Sequence, residues 1–260
     1  MQELTRNQKI GIGVAVAAGA IAVWAWGSKL RAADLEGQPA YAGAAHKPAA
    51  SNVGITVYGG LHGGLSMANT ELSSVPSSPG VVLDGIGSHG WIGGVHAGFD
   101  YTTASKVFFG GFGGYSWQNT ESTLTLNGMT TSNQFSFGLG DSYYFGGRVG
   151  YDWGKYKVYG LAAWRHTDVE WGVPSGVTIP AALGLPSSMN GIDLGVGAAM
   201  TIAPNVELGL EGIWTNYGSE KVTYNFGTPT VPNTKAIAAL DTDQLSVMAR
   251  LSFKFGGMNY

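Results

Sequence analysis

Between Ile192 and Tyr217 apolar and small or polar residues alternate with a strict period of two. Ile192, Leu194, Val196, Ala198, Met200 and Ile202 are apolar, and Asp193, Gly195, Gly197, Ala199 and Thr201 lie between them. After Ala203-Pro204-Asn205 the alternation resumes, with Val206, Leu208, Leu210 and Trp214 on one side and Glu207, Gly209, Glu211, Thr215 and Tyr217 on the other. Successive side chains of a strand point to opposite faces, so this stretch predicts an antiparallel hairpin with one greasy face and one glycine-rich polar face. A soluble sandwich would turn a heavily charged face to water. Small residues with isolated carboxylates suit instead the crowded lumen of a narrow barrel whose outer wall meets lipid.

The same pattern predicts six more strands. The first sends Val53, Ile55, Val57, Leu61, Leu65 and Met67 outward and Thr56, Tyr58, His62 and Ser66 inward. In the second, Trp91, Val95, Ala97, Phe99 and Tyr101 face out and Ser88, His96 and Asp100 face in. The third, Val107 to Gln118, carries aromatics on both faces; Phe109, Tyr115 and Trp117 are placed outside. Tyr143, Phe145, Val149, Tyr151 and Trp153 mark the outer face of the fourth, opposite Ser142, Tyr144, Arg148 and Asp152. Placing Val158, Ala162 and Trp164 outside in the fifth sends Lys157 and Arg165 into the lumen. The last sets Leu245, Val247, Ala249, Leu251, Phe253 and Phe255 against Gln244, Ser246, Arg250, Ser252 and Lys254. With the hairpin, the expectation is an all-β, eight-stranded antiparallel up-and-down transmembrane barrel.

Connections alternate in length. Those centred on Thr103, Gly154 and Pro204 span a few residues. The others, Thr70 to Ile86, Glu121 to Gly138, Gly172 to Ser188 and Ser219 to Thr242, read as long surface loops rich in Ser, Thr, Asn, Pro and Gly. The expected topology puts long loops outside the cell and both termini in the periplasm of a bacterial outer membrane. Tyr and Trp collect at strand ends, at Trp91, Tyr101, Tyr115, Trp117, Tyr151, Trp153, Trp164, Trp171 and Trp214, as aromatic girdles at headgroup level would.

Only 12% of the residues are charged, and 42 of 260 are glycine, unlike a typical soluble enzyme. The net charge of −3 has no basic cluster behind it and gives no case for nucleic acid. Arg6 and Lys9 precede an apolar run from Ile10 to Trp26, so residues 1–32 read as a signal sequence or, if retained, an anchor helix. Residues 33–52, with Pro39, Pro48 and many alanines, read as a flexible leader, and residues 53–260 as the barrel.

Gly90-Trp91-Ile92-Gly93-Gly94-Val95-His96-Ala97-Gly98-Phe99 and Gly147-Arg148-Val149-Gly150-Tyr151-Asp152-Trp153 resemble segments of the alphaproteobacterial outer-membrane immunogenic proteins. These are porin-family surface antigens with an outer-membrane-protein-A-like barrel. Ala203 to Leu208, Asn216-Tyr217-Gly218 and Leu251 to Phe255 resemble further pieces. The resemblance implies a terminal aromatic read by the barrel-assembly machinery, with Phe253 and Phe255 the candidates and Gly256 to Tyr260 a short tail.

Inward parity collects His62, His96, Asp100, Arg148, Asp152, Asp193, Glu207, Glu211, Arg250 and Lys254, with Lys157 and Arg165. An eight-stranded barrel is only just filled by side chains, so these are expected to form a paired plug, with Glu211–Arg250 and Asp152–Lys157 the pairs parity suggests. His62, Ser66, His96 and Asp100 share the lumen, which raises a lipid A-modifying enzyme as an alternative; a narrow porin is another. No cofactor or metal site is expected: there is no Cys, and the five histidines lack close ligand spacing. The expected role is structural, in contact with outer-membrane lipid and lipopolysaccharide. Apolar loop runs such as Val177 to Leu183 offer packing on the rim or on another protomer.

Overall fold

A computed structural model of the chain describes residues 53–74, 83–126, 133–172, 186–225 and 235–257. It contains eight strands: β1 (Gly54–Ser74), β2 (Leu83–Thr102), β3 (Val107–Leu126), β4 (Asn133–Asp152), β5 (Tyr156–Gly172), β6 (Ser188–Ala203), β7 (Val206–Asn225) and β8 (Lys235–Gly257). Each pairs antiparallel with the next, and β8 returns to β1 to close the barrel. The short turns need backbone in the left-handed region, supplied by Lys106 (φ 66°), Gly154 (φ 87°) and Asn205 (φ 64°).

The ring has a definite stagger. Paired residues lead from Tyr58 through Gly98, Phe112, Gly146, Ala163, Asp193, Thr215 and Gln244 back to β1 at Ala68, ten residues beyond the start. That shear over eight strands requires a tilt of about 40° and leaves an interior just wide enough for side chains.

Facing follows the alternation. Leu65, Phe99, Phe145, Leu210 and Phe255 are more than half exposed, whereas Tyr58, His62, His96, Tyr144, Arg148 and Arg250 are buried. On β3, Phe109, Tyr115 and Trp117 lie outside, and Phe108 and Phe112 fill the lumen.

The strands are longer than the hydrophobic pattern predicts. Twenty residues at about 3.3 Å each, tilted by about 40°, rise roughly 50 Å, against an apolar band of about 25 Å. The stretches read as long loops are therefore in large part ladder. β1 continues to Ser74 and β2 begins at Leu83; β3 runs to Leu126, β4 begins at Asn133, β7 reaches Asn225 and β8 begins at Lys235. Within this extension the polarity reverses. Outward positions become polar, as at Asn69, Asp168, Glu170 and Asp241. Ala68, Phe137, Leu139, Val169, Met189, Tyr217 and Leu240 form an apolar cluster within, against which Trp171 packs. Trp171 is thus no girdle residue: its indole N–H donates to the Pro186 carbonyl at 2.9 Å, and its ring meets Phe137 edge-on. The apolar run Val177 to Leu183 lies outside the described residues, as does the whole of 1–52.

Above the apolar belt, bulges on β4 and β7 reset the alternation. Leu139 pairs with Val169 and Ser142 with Thr167, so β4 carries an extra residue around Gly140 and Asp141. On β7 the extra residue falls at Tyr217-Gly218, with Gly218 at φ 70°.

Candidate functional site in the barrel lumen

The inward set predicted from parity stacks in layers along the barrel axis. Nearest the short turns, Asp100 on β2 accepts Arg148 Nε at 2.9 Å and Nη2 at 2.8 Å, and Lys157 Nζ at 3.3 Å. Lys157 also faces Glu207 at 3.5 Å and Asp152 at 3.7 Å, and Lys254 closes the layer on Glu207 at 2.7 Å. The Arg148 guanidinium lies over the rings of Tyr58 at 4.4 Å and Tyr159 at 4.9 Å, so its faces meet π-clouds while its edge meets the carboxylate.

In the middle layer Glu211 Oε1 accepts from Arg250 Nη1 and from the Tyr159 hydroxyl, both at 2.6 Å. Beside them His62 Nε2 meets Ser116 Oγ and His96 Nε2 meets Ser252 Oγ, each at 2.9 Å, with the two imidazoles 5.9 Å apart. The upper layer is built on Arg165, whose guanidinium binds Asp193 at 2.8 to 3.0 Å and Ser142 at 2.9 Å above the Tyr144 ring. Thr215 donates to the same Asp193 at 2.7 Å. A neutral chain lies alongside: Thr167, Tyr217, Gln244 and then Ser66 and Gln118.

Five carboxylates (Asp100, Asp152, Asp193, Glu207, Glu211) thus meet five cations (Arg148, Lys157, Arg165, Arg250, Lys254), and the charges of these three layers balance. Pairing at hydrogen-bond distance is what makes so many buried charges tolerable. The large rings fit because glycine faces them on neighbouring strands. A Cβ at Gly98 would collide with the Tyr58 hydroxyl, and one at Gly114 with that of Tyr144.

Parity located the members of these layers but missed what fills the space between them. Phe108, Phe112, Ile92, Leu161, Ile213 and Met248 are buried in the lumen and pack among the charges. Gln244 also donates to Gln118 at 2.8 Å across the lumen, a contact between β8 and β3, which are not neighbours in the sheet.

The geometry separates the residues that prompted the enzyme alternative. His62 is paired with Ser116, Ser66 accepts from Gln244 at 2.5 Å, and Asp100 is engaged by Arg148 and Lys157. Among the described residues neither imidazole Nδ1 has a hydrogen-bond partner, so no acid orients a histidine toward a serine. No group of three or more His, Asp or Glu side chains among the described residues is placed to hold a metal ion. His89 is exposed; His166 faces outward, stacks on Trp164 and meets Asn190 at 2.8 Å. His46 lies outside the described residues.

Of the girdle residues, Trp91, Tyr101, Tyr151 and Trp153 are exposed on the outer wall, and Trp164 and Trp214 are half-buried there. They sit at both ends of the apolar belt: Trp91, Trp164 and Trp214 toward the long connections, Tyr101, Tyr151 and Trp153 by the short turns. Phe253 and Phe255 project outward from the end of β8.

No protein-family model and no curated protein matches the chain. Among solved structures it is similar to the outer membrane protein OprG from Pseudomonas aeruginosa, at 13% identity and a TM-score of 0.49 over 79% of this chain and 98% of that one. It is similar also to the outer membrane protease OmpT from Escherichia coli, at 10% identity and a TM-score of 0.46 over 77% and 97%. Neisserial surface protein A is a third, at 16% identity and a TM-score of 0.37 over 76% and 99%. These are likenesses of overall architecture alone.

Proposed function

We propose that this chain is a structural barrel of a bacterial outer membrane, closed along its lumen, with the short turns and both termini periplasmic and the extended hairpins at the cell surface. The observation that carries this reading is the inverted polarity of the barrel: an apolar outer belt around a neutral, paired interior is stable only where the surroundings are hydrocarbon. Above the belt polarity returns to that of a soluble protein, which suits a stalk standing in water. The stalk and the connections it bears would meet lipopolysaccharide and external partners, in the manner of the surface antigens that Gly90 to Phe99 resembles. Phe253 and Phe255 are the residues for the assembly machinery to read.

Membrane fractionation, with gel migration before and after boiling, tests the placement. A band in the outer-membrane fraction that shifts on boiling is expected; recovery in the soluble or inner-membrane fraction overturns it. Planar bilayers test the closed lumen. Reconstituted protein is expected to give no discrete conductance steps, and reproducible steps would replace the structural reading with that of a narrow porin. A changed lipid A mass spectrum on expression, lost in His62→Ala, would restore the enzyme.

A further inference from the structure

The outer wall is not uniformly smooth. Near the short turns, register brings Val158, Ala198, Leu210 and Ala249 into one row across β5 to β8, and Tyr156, Met200 and Leu208 into the next. The small Ala198 and Ala249 on either side of Leu210 leave a groove of about 310 Å³, lined by these three with Tyr156, Met200 and Leu208, and bordered by Ala199, Gly209 and Lys157, whose ammonium is turned into the lumen. Its lining is almost wholly apolar, so a polar ligand gains nothing inside it.

A cation lies beside one of its walls. The Lys155 side chain is exposed, with its ammonium 5.8 Å from the centre of the Tyr156 ring that forms one wall. The nearby carboxylate does not neutralise it. Asp152 is turned onto Lys157 at 3.7 Å and onto the Gly154 amide at 2.6 Å, and no carboxylate among the described residues pairs with Lys155. Lys155 belongs to the β4–β5 turn, at the depth where Trp153 marks the lower aromatic level. An apolar channel beneath a lone ammonium at headgroup depth matches a molecule with one anionic group and an aliphatic tail.

We propose that this groove holds an acyl chain of an anionic phospholipid from the leaflet on the short-turn side, with its phosphate on Lys155. The inference rests on the reading that this wall faces lipid and goes further, to one lipid class at one place.

The test is native mass spectrometry of the full chain, delipidated in detergent and titrated separately with phosphatidylglycerol and phosphatidylethanolamine. One phosphatidylglycerol per barrel is expected to be held more tightly than phosphatidylethanolamine. Lys155→Glu is expected to weaken phosphatidylglycerol roughly fivefold, the effect of one basic residue near a lipid surface, and to leave phosphatidylethanolamine unchanged. Ala249→Trp, which fills the groove from outside, is expected to weaken both. Ala97→Trp, an exposed wall position on β2, is expected to weaken neither. Each variant is first shown to be folded by its gel shift on boiling. Equal retention of phosphatidylglycerol by wild type, Lys155→Glu and Ala249→Trp overturns the proposal, as does an equal loss in Ala97→Trp. Cell fractionation does not enter this measurement, so the groove and the outer-membrane placement fail separately.

Discussion

Arg165 and Asp193 show at a single pair what the lumen demands. Both are almost wholly buried, and the guanidinium makes three contacts to the carboxylate at 3.0 Å or less. Arg165→Met leaves Asp193 with only the Thr215 hydroxyl, and the loss expected for an uncompensated buried charge is about 3–5 kcal/mol. Urea unfolding in lipid vesicles should register it, and Arg165→Met combined with Asp193→Leu should recover most of the loss because no lone charge remains. Lys254→Met should cost less, since its partner Glu207 keeps Lys157 at 3.5 Å. Gly114→Val should fail more severely. Its side chain has to enter the space of the Tyr144 hydroxyl and the Val95 carbonyl, and neither backbone nor a ring packed against Phe112 can retreat. Absence of a heat-modifiable band would be the readout.

Whole strands behave differently on the two sides of the aromatic level. Inside the belt, facing was legible from alternation alone, because lipid outside and packed charge inside give the two sets opposite chemistry at every step. Even the mixed β3 sorted correctly, since Tyr115 and Trp117 keep parity with Phe109. Above the belt two physical changes erased the signal. Outward positions turned polar, so Glu71 and Asp241 looked like loop, and the extra residue at Gly140-Asp141 put Leu139 and Ser142 on the same face although they are three positions apart. Pairing in the lumen was legible only in part. Asp152 with Lys157 and Glu211 with Arg250 are cross-strand neighbours, whereas His62 with Ser116 depends on the stagger of the closed ring, which alternation does not reveal. The bulge offers a test at this scale. Deleting Asp141 removes the extra residue and leaves Leu139 two positions from Ser142, so regular alternation should keep Phe137, Leu139 and Ser142 together on the inner face. It also removes the 2.7 Å bond that Tyr115 donates to Asp141. Limited proteolysis should then leave the extended β3 and β4 ends uncut and the belt with its shift on boiling; cleavage of those ends would show that the extra residue is needed for the inward packing.

For the molecule as a whole, one seam differs from the other seven. β1 and β8 stand at opposite ends of the described chain, yet they share a register running from Thr56–Gly257 to Ser74–Ala238. The hydrogen bond between Ser66 and Gln244 joins residues 178 apart in sequence. Contacts so distant form only after the chain between them is ordered, which makes closure the slow, late event of folding. Until then each of these strands carries a row of unpaired amides and carbonyls in or beside hydrocarbon, the most costly surface the protein ever presents. The seam is also tight: a Cβ at Gly64 would strike the Val247 carbonyl. Gly64→Ala should accordingly delay the appearance of the heat-shifted band in a refolding time course, and more so than Ala97→Ser, which lies away from the seam. Folding speed, and with it the time the open sheet spends exposed to mispairing, is then governed by how readily two glycine-spaced edges recognise each other.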